Sequence, residues 1–336
     1  MDTPGCSENP AASRAEPENG LFDFEVGQDI ECVVRESNRT VLYNPTRYTT
    51  IFEPVNFDCQ GTGLKLKNLF KGLPAKRQES QLYEPPWKIT SVEECNFYHS
   101  TDIPGVGLVE GQWDLRGGVD EYLGGYDFTR KRVLEIGPAT GFLTFQIEKT
   151  AAEVVAVELP MDRSFWNAVP YEKLGLARRR DKGWTDVEKQ FHEHIGRIRN
   201  GFWFCHEKFG SKARVYHGSA EDLPDSLGQF DVVILASILL HSRSPVAILE
   251  SCARLVTETV IITEIHDAEL GEGPVCSLVP TTGNNAWDTW WRFTPRFFTQ
   301  FLEVLGFAEH KVSFHQQVAD KTPLNMFTVV SSRPKK

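Results

Sequence analysis

The chain has 336 residues, with 46 acidic against 36 basic side chains and a formal net charge of −10. That length holds one large domain or two modest ones. The acidic balance argues against a protein that coats duplex nucleic acid, though it leaves room for a local basic patch. No stretch approaches the roughly 18 apolar residues of a spanning helix, and no basic segment leads into an apolar core at the start. Seven scattered cysteines without a CxxC pair point to reduced, structural thiols and a cytoplasmic setting, with no membrane partner.

Residues 1–20 are rich in Pro, Ser, Glu, Asn and Ala. They lack the apolar surface to offset chain entropy and read as a disordered tail. Residues 21–95 read as an irregular extension whose short β-branched runs, Glu31–Val34 and Thr40–Tyr43, are broken by turns such as Asn44-Pro45. From residue 96 to 336 the pattern predicts one regular domain. Arg132–Ile136 is a buried-strand signal stopped by Gly137-Pro138, and Phe142–Ala151 follows as a helix. Glu153–Leu159 is a second strand, residues 185–208 a helix rich in aromatics, and Ala213–His217 a third strand. Phe230–Ala236 is a fourth. Ser244-Pro245 opens a helix that sets Ile248, Cys252 and Leu255 on one face. Thr257–Glu264 is a fifth strand, Thr294-Pro295 opens a helix ending near Gly306, and Lys311–His315 with Met326–Ser331 closes the chain as a strand pair. Alternation of this kind predicts a Rossmann-like, doubly wound α/β fold. We expect a mostly parallel seven-stranded sheet with one antiparallel edge strand.

The most informative stretch is Glu135-Ile136-Gly137-Pro138-Ala139-Thr140-Gly141, between the first strand and the first helix, where open α/β sheets bind ligands. It lacks the GK[ST] ending of a P-loop and the second glycine of GxGxxG. Glu158 ends the next strand, where a carboxylate can accept from both hydroxyls of a ribose. Glycine turn, strand phasing and acid together read as a nucleoside site rather than as a tight turn beside a solvated glutamate.

On these residues the chain resembles class I S-adenosylmethionine-dependent methyltransferases. Val133–Phe142 is similar to their first motif, Val154–Leu159 to the second, Gly218–Pro224 to the adenine-edge motif and Phe230–Pro245 to the fourth-strand motif. The resemblance implies S-adenosyl-L-methionine as cofactor. It places Glu135, Gly137, Ala139 and Gly141 toward the methionine end, Glu158 and Leu159 at the ribose, Ser219, Ala220 and Glu221 at the adenine, and Ala236 at the end of the fourth strand. Many members carry Asp where Ser219 stands. Gly111–Arg116, with the motif ending at His241–Pro245, is further similar to the bacterial wobble-uridine carboxymethyltransferases. There a Trp and a basic residue cover the cofactor, matching Trp113 and Arg116. That group also has a Lys upstream and a Tyr before the fourth-strand His. Here Leu240 precedes His241, Phe97–Ser100 holds no Lys, and the nearest is Lys88. A carboxylated cofactor would have only Arg116 and His99 as partial compensation, so plain S-adenosylmethionine is expected to bind more tightly.

Methyl transfer from a sulfonium needs alignment and water exclusion, plus a base when the acceptor carries a proton. His241 is the candidate base, since imidazole ordinarily titrates near neutrality; its alternative is packing under a Ser244 helix cap. Glu264 and His266, with Asp267, end the fifth strand as candidate acceptor-binding groups. Nothing there matches the spacing of magnesium-dependent catechol-type enzymes, so no metal is expected. Trp287, Trp290 and Trp291 follow a polar loop and suit an apolar acceptor wall, Trp287 and Trp291 sharing a face if helical. Arg178–Arg180 could meet phosphate, or form a solvated helix face. The sequence therefore predicts a methyltransferase for a small-molecule O or N acceptor. A tRNA-modifying enzyme and a cofactor-binding scaffold are the other readings.

Overall fold

The computed structural model describes residues 32–36, 39–43, 82–160, 162, 167–177, 185–284 and 286–335. The chain divides into two units, Met1–Leu73 and Pro74–Lys336. In the first, Cys32–Glu36 and Arg39–Tyr43 pair as an antiparallel hairpin. The stretches predicted as the N-terminal tail and the Arg178–Arg180 run lie outside the described residues.

The second unit is built on one eight-stranded sheet. Its strands are β1 (Trp113–Asp114), β2 (Arg132–Ile136), β3 (Glu153–Glu158), β4 (Arg214–His217), β5 (Phe230–Ala236), β6 (Val256–Ile265), β7 (Glu309–Ala319) and β8 (Thr322–Ser332). They lie in the order β1-β7-β8-β6-β5-β2-β3-β4. The five from β6 to β4 are parallel, as the strand–helix alternation predicts. The antiparallel strand β8 lies not at the rim but between β6 and β7, and the two-residue β1 adds an eighth strand beyond β7. The cause is local. The helix Pro295–Val304 carries the chain past β6, and the turn at Asp320-Lys321, with φ of 48° and 63°, folds it straight back. Left-handed geometry at both central residues is that of the hairpin turn matching strand twist.

Among the described residues five α-helices pack on the sheet: α1 (Val119–Tyr122), α2 (Phe142–Ile147), α3 (Asp186–Phe209), α4 (Pro245–Leu255) and α5 (Pro295–Val304). Successive strand residues serve opposite faces. Val233, Leu235, Val260 and Ile262 pack with Ile248, Cys252, Phe298 and Leu302 of α4 and α5. Val232, Ile234 and Ile261 pack with Tyr122, Phe142 and Leu143 on the other face. Each such side chain contributes about 1.5–3 kcal/mol on burial. Helix α3 starts in a Thr185–Glu188 capping box and stops at Gly210 in the left-handed conformation. Residues 82–95, read in the sequence as part of the extension, belong to this unit. Glu84 bridges to Val215, and the Trp87 ring lies 6.0 Å from that of Trp203.

Candidate functional site

Strand β2 ends at Ile136, and the chain leaves the sheet through Gly137–Gly141 before α2 begins at Phe142. Three residues of this turn are left-handed: Gly137 at φ 72°, Ala139 at 50° and Gly141 at 81°. The Gly137 N–H donates to the Val157 carbonyl at 2.9 Å, and Gly141 N–H to that of Pro138 at 2.8 Å. A Cβ on Gly137 would stand 2.7 Å from Ile238 Cδ1, the movable end of a side chain, so it is the left-handed conformation that favours glycine there. Ala139 bears the left-handed strain, about 1–2 kcal/mol, without that relief. Ser237, just past the end of β5, is also left-handed, at φ 50°. Its N–H donates to Thr263 O at 2.7 Å, and its hydroxyl lies 3.0 Å from the Tyr122 phenol. Two strained non-glycine residues thus sit where β2 has β3 on one side and β5 on the other. Strain of this kind collects at functional sites, and this switch point is where doubly wound sheets bind ligands.

Glu158 ends β3. Its Oε1 accepts the Leu159 N–H at 2.8 Å and faces Arg199 Nη2 at 3.5 Å. The Arg199 side chain is 3% exposed against 15% for Glu158. Oε2 has no protein partner among the described residues. The same arginine donates to Leu159 O at 3.0 Å, and His217 Nδ1 meets that oxygen at 3.0 Å. Gly218 N–H bonds Glu158 O, which brings the adenine-edge motif beside the acid. There Ser219 Oγ accepts from Glu221 N–H, and Ala220 packs on the core. Arg199 escaped the sequence reading. Its signal was a lone cation in the half of α3 that is otherwise mostly apolar, Ile198–Cys205.

Two acids beneath the edge are buried. Burial pushes Glu135 up to about 7, opposed by the Thr144 hydroxyl it accepts from. Burial pushes Glu264 up to about 8, opposed first by the N–H groups of Leu240 and Leu239, which reach its Oε1 at 3.3 and 3.1 Å. Glu264 therefore holds the turn after β5 through its Oε1. That turn ends at His241. The His241 Nδ1 bonds the Asp288 carbonyl. A carbonyl only accepts, so Nδ1 donates a proton there, and in the neutral tautomer the lone pair is on Nε2. Ser244 makes no side-chain cap; its N–H donates instead to Ser242 Oγ.

Other predicted site residues are placed elsewhere. Trp113 is buried in strand β1, against Leu115, Tyr122 and Met326. Arg116 closes both guanidinium arms on Asp114 at 2.8 and 2.7 Å, which leaves it a surface pair rather than a cover. His266 turns its ring onto Phe314 of β7, centroids 4.8 Å apart, while Asp267 caps Glu269 N–H. Among the described residues no three His, Cys, Asp or Glu side chains gather as metal ligands. The tryptophans do not share a helical face, because Trp291 begins the short strand Trp291–Phe293 and Trp287 lies in a loop. Trp291 Nε1 donates to Ser242 O at 2.9 Å, Trp290 Nε1 to Asn167 O, and Trp287 meets Phe191 edge-on. They fasten the loops beside His241, with only part of each ring exposed.

The edge combines three features: an open carboxylate oxygen at β3, a strained turn at β2, and buried polar atoms without partners at His99 Nδ1 and Thr140 Oγ1. The chain is an α/β protein of the doubly wound, Rossmann-like class. No protein-family model and no curated protein matches it. Among solved structures it is similar to the N-terminal domain of EvdMO1 with SAH and D-fucose, at 18% identity and TM-score 0.41 over 72% of this chain and 93% of that one. It is similar to 1,6-didemethyltoxoflavin-N1-methyltransferase of Burkholderia thailandensis, bound to 1,6-didemethyltoxoflavin and S-adenosylhomocysteine, at 16% and 0.41 over 66% and 78%. Magnesium protoporphyrin IX methyltransferase of Synechocystis PCC 6803, with SAM, follows at 11% and 0.38 over 66% and 78%.

Proposed function

We propose that the unit Pro74–Lys336 is an S-adenosylmethionine-dependent methyltransferase acting on an oxygen or nitrogen of a small molecule. The observation that carries this reading is Glu158, with one carboxylate oxygen bonded into the protein and the other open, beside the strained turn at the switch point. In this reading Glu158 and Leu159 hold the ribose, and Ser219, Ala220 and Glu221 border the adenine. Gly137, Ala139 and Gly141, with Glu135 and Ala236 behind them, face the methionine end. The cofactor supplies an activated methyl group on sulfonium. The protein aligns the acceptor and excludes water, and His241 takes the acceptor's proton on Nε2.

Plain rather than carboxylated cofactor is favoured. The two groups that could neutralise an extra carboxylate are otherwise engaged. Arg116 is paired with Asp114, and burial holds His99 neutral, pushed down to about 4. The carboxymethyltransferase reading is set aside on that ground. Calorimetric titration with S-adenosylhomocysteine tests the site, and its release from S-adenosylmethionine in a metabolite extract tests turnover. Binding without turnover in any extract favours a cofactor-binding scaffold. Absence of binding removes the proposal.

A further inference from the structure

Strand β7 pairs with β8 along its whole length, from Glu309↔Ser332 to Ala319↔Thr322, without a register shift. On its other side β1 covers only Val318 and Ala319. Glu309–Gln317 is therefore an open edge among the described residues. The hairpin fixes which way its peptide groups point. Ala319 and Thr322 close a two-residue turn, and such a closing pair exchanges both of its hydrogen bonds. The Ala319 groups thus face β8, and alternation turns those of Val318 outward. The Asp320 N–H, which reaches Gln112 O at 2.8 Å on the β1 side, follows the same alternation. By twos, Gln316, Phe314, Val312 and His310 also aim their N–H and C=O outward, with no backbone partner among the described residues. Their side chains share one face of the strand, where Val312 is 39% and Phe314 61% exposed. Open edges are normally blunted by proline, bulges or outward lysines. This run has no proline. Its one lysine, Lys311, lies on the other face and donates to Gly124 O at 2.9 Å.

We propose that this edge is a homodimer interface, β7 pairing antiparallel with β7 of a second copy about a two-fold axis at Ser313. In that register Val312 opposes the partner's Phe314 and His310 opposes the partner's Gln316, each in both directions. Every outward N–H and C=O of the run is then bonded. Neighbouring registers fail. An axis at Val312 carries Gln316 past the start of the partner strand, and an axis at Phe314 carries His310 onto Val318, which β1 occupies. Aromatic and β-branched side chains opposed across strands are a favourable pair, so the register also covers the exposed apolar groups. On the other face Glu309 opposes Gln317, and Lys311 opposes His315, whose protonated form burial disfavours. No like charges are set against each other. The contact is isologous and closes on itself, as a two-fold dimer requires.

The test follows the full chain by sedimentation equilibrium over a micromolar concentration series. The expected species has twice the 38.0 kDa mass of the chain. Phe314→Lys sets a charge against the partner's Val312. Val312→Pro removes an outward N–H and spares the bonds to β8. Each should weaken dimerisation at least tenfold, with circular dichroism checking that both variants fold. Ser313→Cys places two thiols across the axis in a non-hydrogen-bonded pair, with Cα atoms about 4.5 Å apart, within disulfide reach. Oxidised glutathione should link that variant as a dimer well above the wild-type background. His310→Cys lies far from its own copy in this register and should stay at background. A wild-type monomer throughout refutes the proposal, whether the edge is open or covered by another part of the chain. So does a dimer that neither Phe314→Lys nor Val312→Pro weakens, or a Ser313→Cys chain that links no faster than wild type.

Discussion

Replacing Glu158 by alanine probes binding and stability at once, and the structure separates the two. In the proposed complex the carboxylate makes charge-assisted bonds to the ribose hydroxyls. Removing it should weaken S-adenosylhomocysteine by about 1–3 kcal/mol, or roughly 5- to 150-fold at 1.4 kcal/mol per decade. The same change leaves Arg199, 3% exposed, facing an alanine. It also frees the Leu159 N–H held at 2.8 Å. Arg199 still has the Leu159 carbonyl at 3.0 Å, so the stability loss should stay near the bottom of the 3–5 kcal/mol range for breaking a buried pair. Glu158→Gln keeps an acceptor for Leu159 N–H and for one ribose hydroxyl. It should therefore recover most of the stability but only part of the affinity. The assay is calorimetric titration at constant salt, with urea melts of the same samples. S-adenosylhomocysteine affinity of Glu158→Ala within twofold of wild type would refute the ribose assignment outright.

His241→Ala should lower turnover at least tenfold and leave S-adenosylhomocysteine affinity within threefold, since the ring acts at the acceptor; loss of cofactor affinity instead would move His241 out of the acceptor site. Gly137→Ala should cost about 1–2 kcal/mol from its left-handed backbone and push the end of the Ile238 side chain aside; chemical melts showing no loss of stability would mean the turn is not constrained as described. The buried acids set a pH slope. Glu264 is raised from 4.5 to about 8 in the folded state, so the folded chain holds its proton more tightly than the unfolded one. The associated stability is present below pH 4.5 and is lost as pH rises through about 8. Glu264→Gln should flatten urea stability across that window, and an unchanged slope would show the carboxyl to be solvated. His99 works in the opposite sense, lowered from 6.5 to about 4. Its stability is present above pH 6.5 and lost as pH falls through 4, so His99→Phe should hold its melting temperature better in acid.

The sequence alone determined the parallel half of the sheet and the place of the glycine turn. Buried parallel strands read as continuous apolar runs, and the residues that stop them, Gly137 and Pro138 or Leu159 and Pro160, are local signals. The same locality made Glu158 legible, because a strand end and an acid are neighbours in the chain. Tertiary structure decided the rest. The positions of β8 inside the sheet and of Trp113 on its far rim depend on how a hairpin and a two-residue strand dock, and no periodicity records that. The Arg116–Asp114 pair lies two residues apart, yet only the folded chain shows that it closes. The burial of Glu264 was not legible at its strand end, because burial comes from elements distant in sequence. The same cause hid His99, Thr140 and Arg199. Each lies in an unremarkable local context, and each acquires its chemistry from what the fold packs against it and from what it leaves unbonded.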